Sequence, residues 1–170
     1  MPQVAFSIRP AEPTDVPEIV AMVGELADYE QARHEAKATE ADFHAALFAA
    51  QPALFALIAE DDAQQVAGFA LYFLNFSTWL GKHGIYLEDL FVRPQYRGAG
   101  IGQALLGRLA QLCVERGYGR LEWWVLDWNE PALGFYRHLG AKAMDEWTVH
   151  RITGAELVAL ANRAPEYGQG

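Results

Sequence analysis

The stretch from Tyr86 to Leu106, YLEDLFVRPQYRGAGIGQALL, leaves a folding chain few choices. Tyr86 to Val92 is aromatic, apolar and β-branched, the composition of a buried strand, and Arg93-Pro94-Gln95 ends it because proline cannot donate to a sheet ladder. After a loop at residues 97–102, apolar side chains recur at Ile101, Leu105, Leu106, Leu109, Leu112 and Cys113, the spacing of one helix face. The unit is strand, glycine-rich turn, helix.

Such a junction holds anions. The first N–H groups of a helix have no partner within it, and the aligned peptide dipoles place partial positive charge at that end. Glycines at 98, 100 and 102 clear side chains from those donors, and Arg97 adds a full charge. The dinucleotide fingerprint G-x-G-x-x-G is excluded because its third glycine would fall on Gln103 or Leu105, and the P-loop for want of Gly-Lys-Ser/Thr. The remaining pattern, R-G-x-G-x-G, resembles the pyrophosphate loop of the GNAT superfamily of acetyl-CoA-dependent N-acetyltransferases. Tyr86-Leu87-Glu88-Asp89, Trp128-Asn129-Glu130-Pro131 and Phe135-Tyr136 narrow the resemblance to the diamine acetyltransferase branch, which includes the spermidine/spermine and thialysine enzymes.

The chain of 170 residues, 52% apolar and 12% aromatic, has enough material for one domain over residues 1–170 and is not a disordered protein. No signal peptide and no apolar run of about 20 residues is visible, so a soluble, cytoplasmic protein that does not engage a membrane is expected. A net charge of -9 argues against nucleic acid and favours cationic partners. The single cysteine, Cys113, lies on an apolar helix stripe and reads as a buried structural thiol. His34, His44, His83, His138 and His150 show no ligand spacing, so no metal is expected.

In chain order, Val4 to Arg9 reads as a strand, and Thr14-Asp15 offers an N-cap to a helix ending at Asp28-Tyr29-Glu30. Thr39-Glu40-Ala41-Asp42 opens a second helix running to about Ala50. Leu54 to Ala59 and Val66 to Leu74 form an antiparallel pair, and Trp79 to Gly84 a loop. The glycine-loop helix closes near Arg116-Gly117, and Arg120 to Leu126 is a strand parallel to the central one. Asp127 or Asn129 caps a helix that stops at Gly140. A last strand is expected around Glu146 to Ile152, and Thr153-Gly154-Ala155-Glu156 is a capping box for a helix to about Arg163. Residues 165–170 read as a frayed tail. This order gives an α/β fold of the mixed α+β kind, a twisted mixed sheet flanked by helices, as the GNAT resemblance also implies.

Acetyl transfer from a thioester to an amine needs a neutral amine, a stabilised oxyanion and a proton for the departing thiolate. A primary amine has a pKa of about 10.4, so a carboxylate must collect its proton, directly or through water. Glu88 is that candidate. Strand alternation sends Glu88 and Asp89 to opposite faces, and both also have a structural reading as acids that salt-bridge neighbours, Asp89 with Arg97 for example. Tyr136 is the candidate acid, since a phenol is protonated at neutral pH and the resemblance assigns the matching tyrosine as proton donor; its structural reading is a core tyrosine.

The resemblance further implies acetyl-CoA as co-substrate, held by main-chain groups of Leu90, Phe91 and Val92, by Arg97, Gly98, Ala99, Gly100, Ile101, Gly102 and Gln103, and by Asn129, which reads equally as an N-cap. It implies an amine site lined by Tyr29, Glu30, Trp79, Glu88 and Glu146, and a homodimer built near Trp147 to Ile152. Together these readings give an acetyltransferase for a small cationic amine (polyamine, diamine or lysine analogue) acting by direct attack. Two alternatives stand beside it: a non-catalytic acyl-CoA-binding regulatory module, and an acetyltransferase for protein amines.

Overall fold

In the computed structural model, which describes residues 5–165, five strands lie side by side in chain order: β1 (Phe6–Pro10), β2 (Phe55–Asp61), β3 (Val66–Ser77), β4 (Lys82–Val92) and β5 (Leu121–Trp123). The first three pairings are antiparallel, and the last, across a helical crossover, is parallel. Val4, expected to open β1, lies outside the described residues.

Two helices cover one face. They are α1 (Val16–Tyr29) and α2 (Glu40–Phe48), whose Ile19, Met22 and Leu47 pack with Ala56, Ile58, Phe69, Leu71 and Phe91 of the sheet. The capping box of α2 forms as expected, with Asp42 N–H donating to Thr39 Oγ1 and Thr39 N–H to the Asp42 carboxylate. Asp15 does not cap α1 with its side chain. Arg9 holds that buried carboxylate at 2.7 Å, and it also accepts the Glu12 N–H. The opposite face carries α3 (Ile101–Arg116), with Leu105 and Leu109 fully buried and Cys113 Sγ donating to Arg120 O. Burial pushes the Cys113 thiol up, as befits an inert structural thiol.

Residues 82–84, expected in a loop, belong to β4. Phe76 and His83 pair across the ladder with ring contact at 5.2 Å, and the turn is confined to residues 78–81. Gly84 permits this. A Cβ there would lie 2.6 Å from Asn75 Oδ1 and 3.0 Å from Arg120 O, so three strands meet only over a glycine. Conversely, β5 is shorter than the expected run to Leu126, ending at Trp123 where its pairing with β4 stops.

The chain divides into two units, Met1–Trp124, which holds the sheet and α1 to α3, and Val125–Gly170. Within the second lie α4 (Glu130–His138) and α5 (Gly154–Ala161). The strand expected around Glu146 to Ile152 does not form, because no ladder partner faces those residues among the described ones, and Trp147, Val149 and Ile152 are exposed. Thr153 precedes α5, but its side chain makes no cap hydrogen bond, since Gly154 turns left-handed at φ 59°.

Candidate active site

The site is built on an irregularity in β4. Leu71 pairs with Asp89 while its neighbour Tyr72 pairs with Leu87, so Glu88 is an extra residue on the β4 side. This is a β-bulge, which breaks the ladder locally and re-aims side chains. Because of it, strict alternation fails. Counted through the cross-strand pairs, Asp89 shares the face of Leu71, Phe91 and Tyr86, toward α1, while Ile85, Leu87, Leu90 and Val92 face α3. Glu88 itself is exposed at the bulge, and Asp89 is half-buried.

Beyond Leu87 the chain parts from β5. The parallel pairs are Ile85 with Leu121, Tyr86 with Glu122 and Leu87 with Trp123, and the β5-facing edge of β4 from Glu88 to Val92 has no strand partner. Backbone groups on such an edge are available to an extended ligand. One is taken up from within the chain, since Arg97 Nε donates to Val92 O at 3.0 Å.

The glycine loop then delivers the chain into α3. Gly98 and Gly100 adopt φ of 83° and 84°, the left-handed region that disfavours side chains, and a Cβ at either would meet nothing within 4 Å. Conformation therefore demands these glycines, and the space beside them is open. Ala104 N–H begins the helical ladder by donating to Gly100 O at 3.0 Å, which leaves the N–H groups of Ile101, Gly102 and Gln103 ahead of it. Ala99 is half-buried at the crest of the turn. An open glycine cradle with three leading donors and one arginine fits the pyrophosphate of a coenzyme A thioester.

Three carboxyls gather near the bulge. Burial is the largest cause that pushes the Asp89 carboxyl up to about 6, with the charges of Glu88 and Glu30 adding to it. Burial also pushes up Glu30, in the turn that follows α1. The Tyr86 phenol is raised by burial and then by Glu88, Glu122 and Asp89; its ring stacks on Phe73 at 4.9 Å and meets Trp124 edge-on at 5.7 Å. The proposed pairing of Asp89 with Arg97 is absent. The Arg97 guanidinium instead lies over Tyr29, 5.5 Å from the ring centre, and over Phe91 at 5.7 Å. Arg93, read from sequence only as a strand terminator, ties the end of β4 to α1 through Glu25 and Glu18.

Tyr29, Glu30, Glu88, the main chain of Leu90 to Val92 and the glycine loop thus belong to one region of the first unit. Trp79 does not join them. It is 90% exposed in the β3–β4 turn, and Glu88 lies about 20 Å farther along the strand at roughly 3.3 Å per residue. In the second unit, Asn129 is buried and acts as the N-cap of α4, its Oδ1 accepting the Ala132 N–H at 3.4 Å. Tyr136, half-buried on α4, has its ring 5.4 Å from that of Phe135, and Glu146 is exposed in a turn. Sequence reading missed the bulge and the Tyr86 aromatic stack; two adjacent acids inside an apolar strand were the available signal. Among the described residues no group of three or more histidines, cysteines or acids is placed to hold a metal ion, and no helix is long and apolar enough to cross a membrane.

Comparison with known proteins agrees with this architecture. The model of the acetyltransferase (GNAT) family matches residues 19–141. The thialysine N-epsilon-acetyltransferase of Mus musculus is 36% identical over 92% of this chain and 97% of its own, and the L-ornithine N5-acetyltransferase of Arabidopsis thaliana is 34% identical over 90% and 86%. An integron cassette protein from the V. cholerae mobile metagenome superposes with a TM-score of 0.76 at 28% identity, covering 92% of this chain and 97% of its own. With the bulged β4, its unpaired edge and the left-handed glycine loop all lying inside the matched span, the chain belongs to the acetyltransferase (GNAT) family.

Proposed function

We propose that the protein transfers the acetyl group of acetyl-CoA to a primary amine of a small cation, a polyamine, diamine or lysine analogue, by direct attack without an acyl-enzyme. The observation that carries this reading is the carboxyl group of Asp89, Glu88 and Glu30. No cation is hydrogen-bonded to any of the three among the described residues, and they lie beside an unpaired strand edge that leads into an anion cradle. Such a site favours a positively charged acceptor next to an anionic donor. The thioester supplies the activated acetyl group, and the residues of this chain bind, orient and move protons. Arg97 and the N–H groups of Ile101 to Gln103 take the pyrophosphate; the free edge of Leu90 to Val92 takes the pantetheine amides and the developing oxyanion, with Asn129 as a further contact. Glu88 serves removal of the amine proton, Tyr136 protonates the thiolate, and Tyr29, Glu30 and Glu146 act on the substrate chain.

The relatives that acetylate thialysine and ornithine support an amino acid or diamine acceptor. The exposed Trp147, Val149 and Ile152 support association of two copies, and the protein is proposed to be cytoplasmic. The test is a panel of amines incubated with acetyl-CoA and assayed for free thiol: spermidine, 1,5-diaminopentane, ornithine, thialysine, and a peptide bearing a free N-terminus and a lysine. Turnover of one or more small amines above the peptide is expected. Binding of acetyl-CoA with no turnover on any amine would favour a regulatory module, and preference for the peptide a protein acetyltransferase.

A further inference from the structure

An ammonium has no lone pair with which to attack a carbonyl, so one proton must leave before the C–N bond can form. The bulge separates the two carboxylates of β4 that could take it. Glu88, the extra residue, is exposed, whereas Asp89 has returned to register opposite Leu71 and lies half-buried on the face toward α1 with Phe91 and Tyr86.

The surroundings of Asp89 hold few means of neutralising it. Glu30 after α1 and Glu88 on β4 are both acids that act on it, and Tyr86 on its own strand is a phenol. The cations of the neighbouring elements are engaged elsewhere: Arg97 over the rings of Tyr29 and Phe91 and on Val92 O, Arg93 on Glu18, Glu25 and Val66 O. No hydrogen bond or ion pair joins either arginine to Asp89 among the described residues. An ionised, partly desolvated carboxylate flanked by like charges is relieved by a cation or by a proton. An ammonium substrate offers both.

We infer that Asp89 is the first acceptor of the amine's proton in the acetyl-transfer site, a role that rests on the function proposed above, and that Glu88 carries this proton on to water. In the step, one N–H bond of the ammonium breaks as an O–H bond forms on Asp89, and the electron pair stays on nitrogen. The nitrogen attacks the thioester carbon, the carbonyl π pair moves to oxygen, and its return breaks the C–S bond. The thiolate takes a proton from the general acid, which recovers one from the acylated nitrogen. Asp89 passes its proton through Glu88 to solvent, so one ammonium and one thioester give one amide, one thiol and one proton. The carboxyl's rise to about 6, caused first by burial, makes it a stronger base than an exposed aspartate and leaves it ionised at neutral pH.

The experiment is the pH dependence of kcat and kcat/KM, with acetyl-CoA and the fastest amine of the panel, for the wild type, Asp89→Asn and Glu88→Gln. Expected are an acidic limb near 6 in the wild type, a loss of about 10²- to 10⁴-fold in kcat for Asp89→Asn with KM for acetyl-CoA nearly unchanged, and a smaller loss for Glu88→Gln. In Glu88→Gln the limb should also move to lower pH, because a like charge has been removed. Full turnover in Asp89→Asn, a change confined to KM for the amine, or a larger loss in Glu88→Gln than in Asp89→Asn would each overturn the assignment while leaving the function standing. A wild type that acetylates no amine of the panel removes the function and this role together. Carbon-13 NMR titration of the wild-type Asp89 carboxyl decides the point should Asp89→Asn not fold: a midpoint at the ordinary aspartate value of about 4 overturns the proposal.

Discussion

Replacing Tyr136 by phenylalanine removes one oxygen and little else. If that hydroxyl protonates the leaving thiolate, kcat should fall by about 10²- to 10⁴-fold while the Kd for acetyl-CoA, read by calorimetry, stays nearly constant. A purely structural hydroxyl would instead lower the melting temperature, by the loss of a hydrogen bond worth roughly 1 kcal/mol, with turnover nearly intact. Asp89 carries the opposite expectation for stability. Its carboxyl lies at about 6 in the folded chain against 3.8 for the unperturbed group, so the native state binds more protons than the unfolded state between those values. Stability from this group is therefore present below about 4 and is lost as pH rises through 6. Asp89→Asn should raise the melting temperature at pH 7 to 8, with an upper bound of about 3 kcal/mol for a shift of roughly two units, and should make little difference near pH 4. A fall in melting temperature at pH 7 would show that the ionised carboxylate has a stabilising partner.

The turn into α3 can be tested in the same way. A Cβ at position 100 would meet nothing within 4 Å, yet valine there would have to adopt φ near 84°, so Gly100→Val should cost the loop its shape and acetyl-CoA its binding; unchanged affinity by calorimetry would remove the loop from the cofactor site. Gly84→Ala tests the sheet, because its Cβ falls within 3.0 Å of Arg120 O, and a destabilisation of about 1–3 kcal/mol is expected by urea unfolding. Much of this was legible in the sequence. Proline after Val92, the glycine triplet and the stripe from Ile101 to Cys113 define strand, turn and helix by local rules, and the structure keeps all three. Gly84 misled because a glycine required by packing among three strands looks the same in sequence as one required by a turn. The bulge at Glu88 and the commitment of Arg97 to Tyr29 depend on partners 15 or more residues away, which no local pattern records. The strand expected around Glu146 to Ile152 is absent because a strand needs an edge to join, and none faces it among the described residues.

At the scale of the whole molecule, two copies are expected to associate through the apolar side chains of the second unit, giving a mass by light scattering of about twice 18.9 kDa at micromolar concentration. A single-chain mass there would withdraw the dimer without touching the chemistry. The charge of -9 acts on every cationic acceptor, so the KM for the amine should rise with added salt more than the KM for acetyl-CoA does. The extra residue in β4 has a consequence for how such a protein can change over time. Were Glu88 deleted, Leu87 and Asp89 would follow one another in a regular ladder, with Ile85, Leu87, Leu90 and Val92 still toward α3 and Tyr86, Asp89 and Phe91 still toward α1. The interior is indifferent to whether position 88 is filled, and by what. Only the proton-transfer role proposed for Glu88, and not packing, holds a carboxylate there, while Leu87 and Phe91 on either side stay pinned by burial. A lineage can thus lose or regain that chemistry by a single substitution without ever leaving its fold.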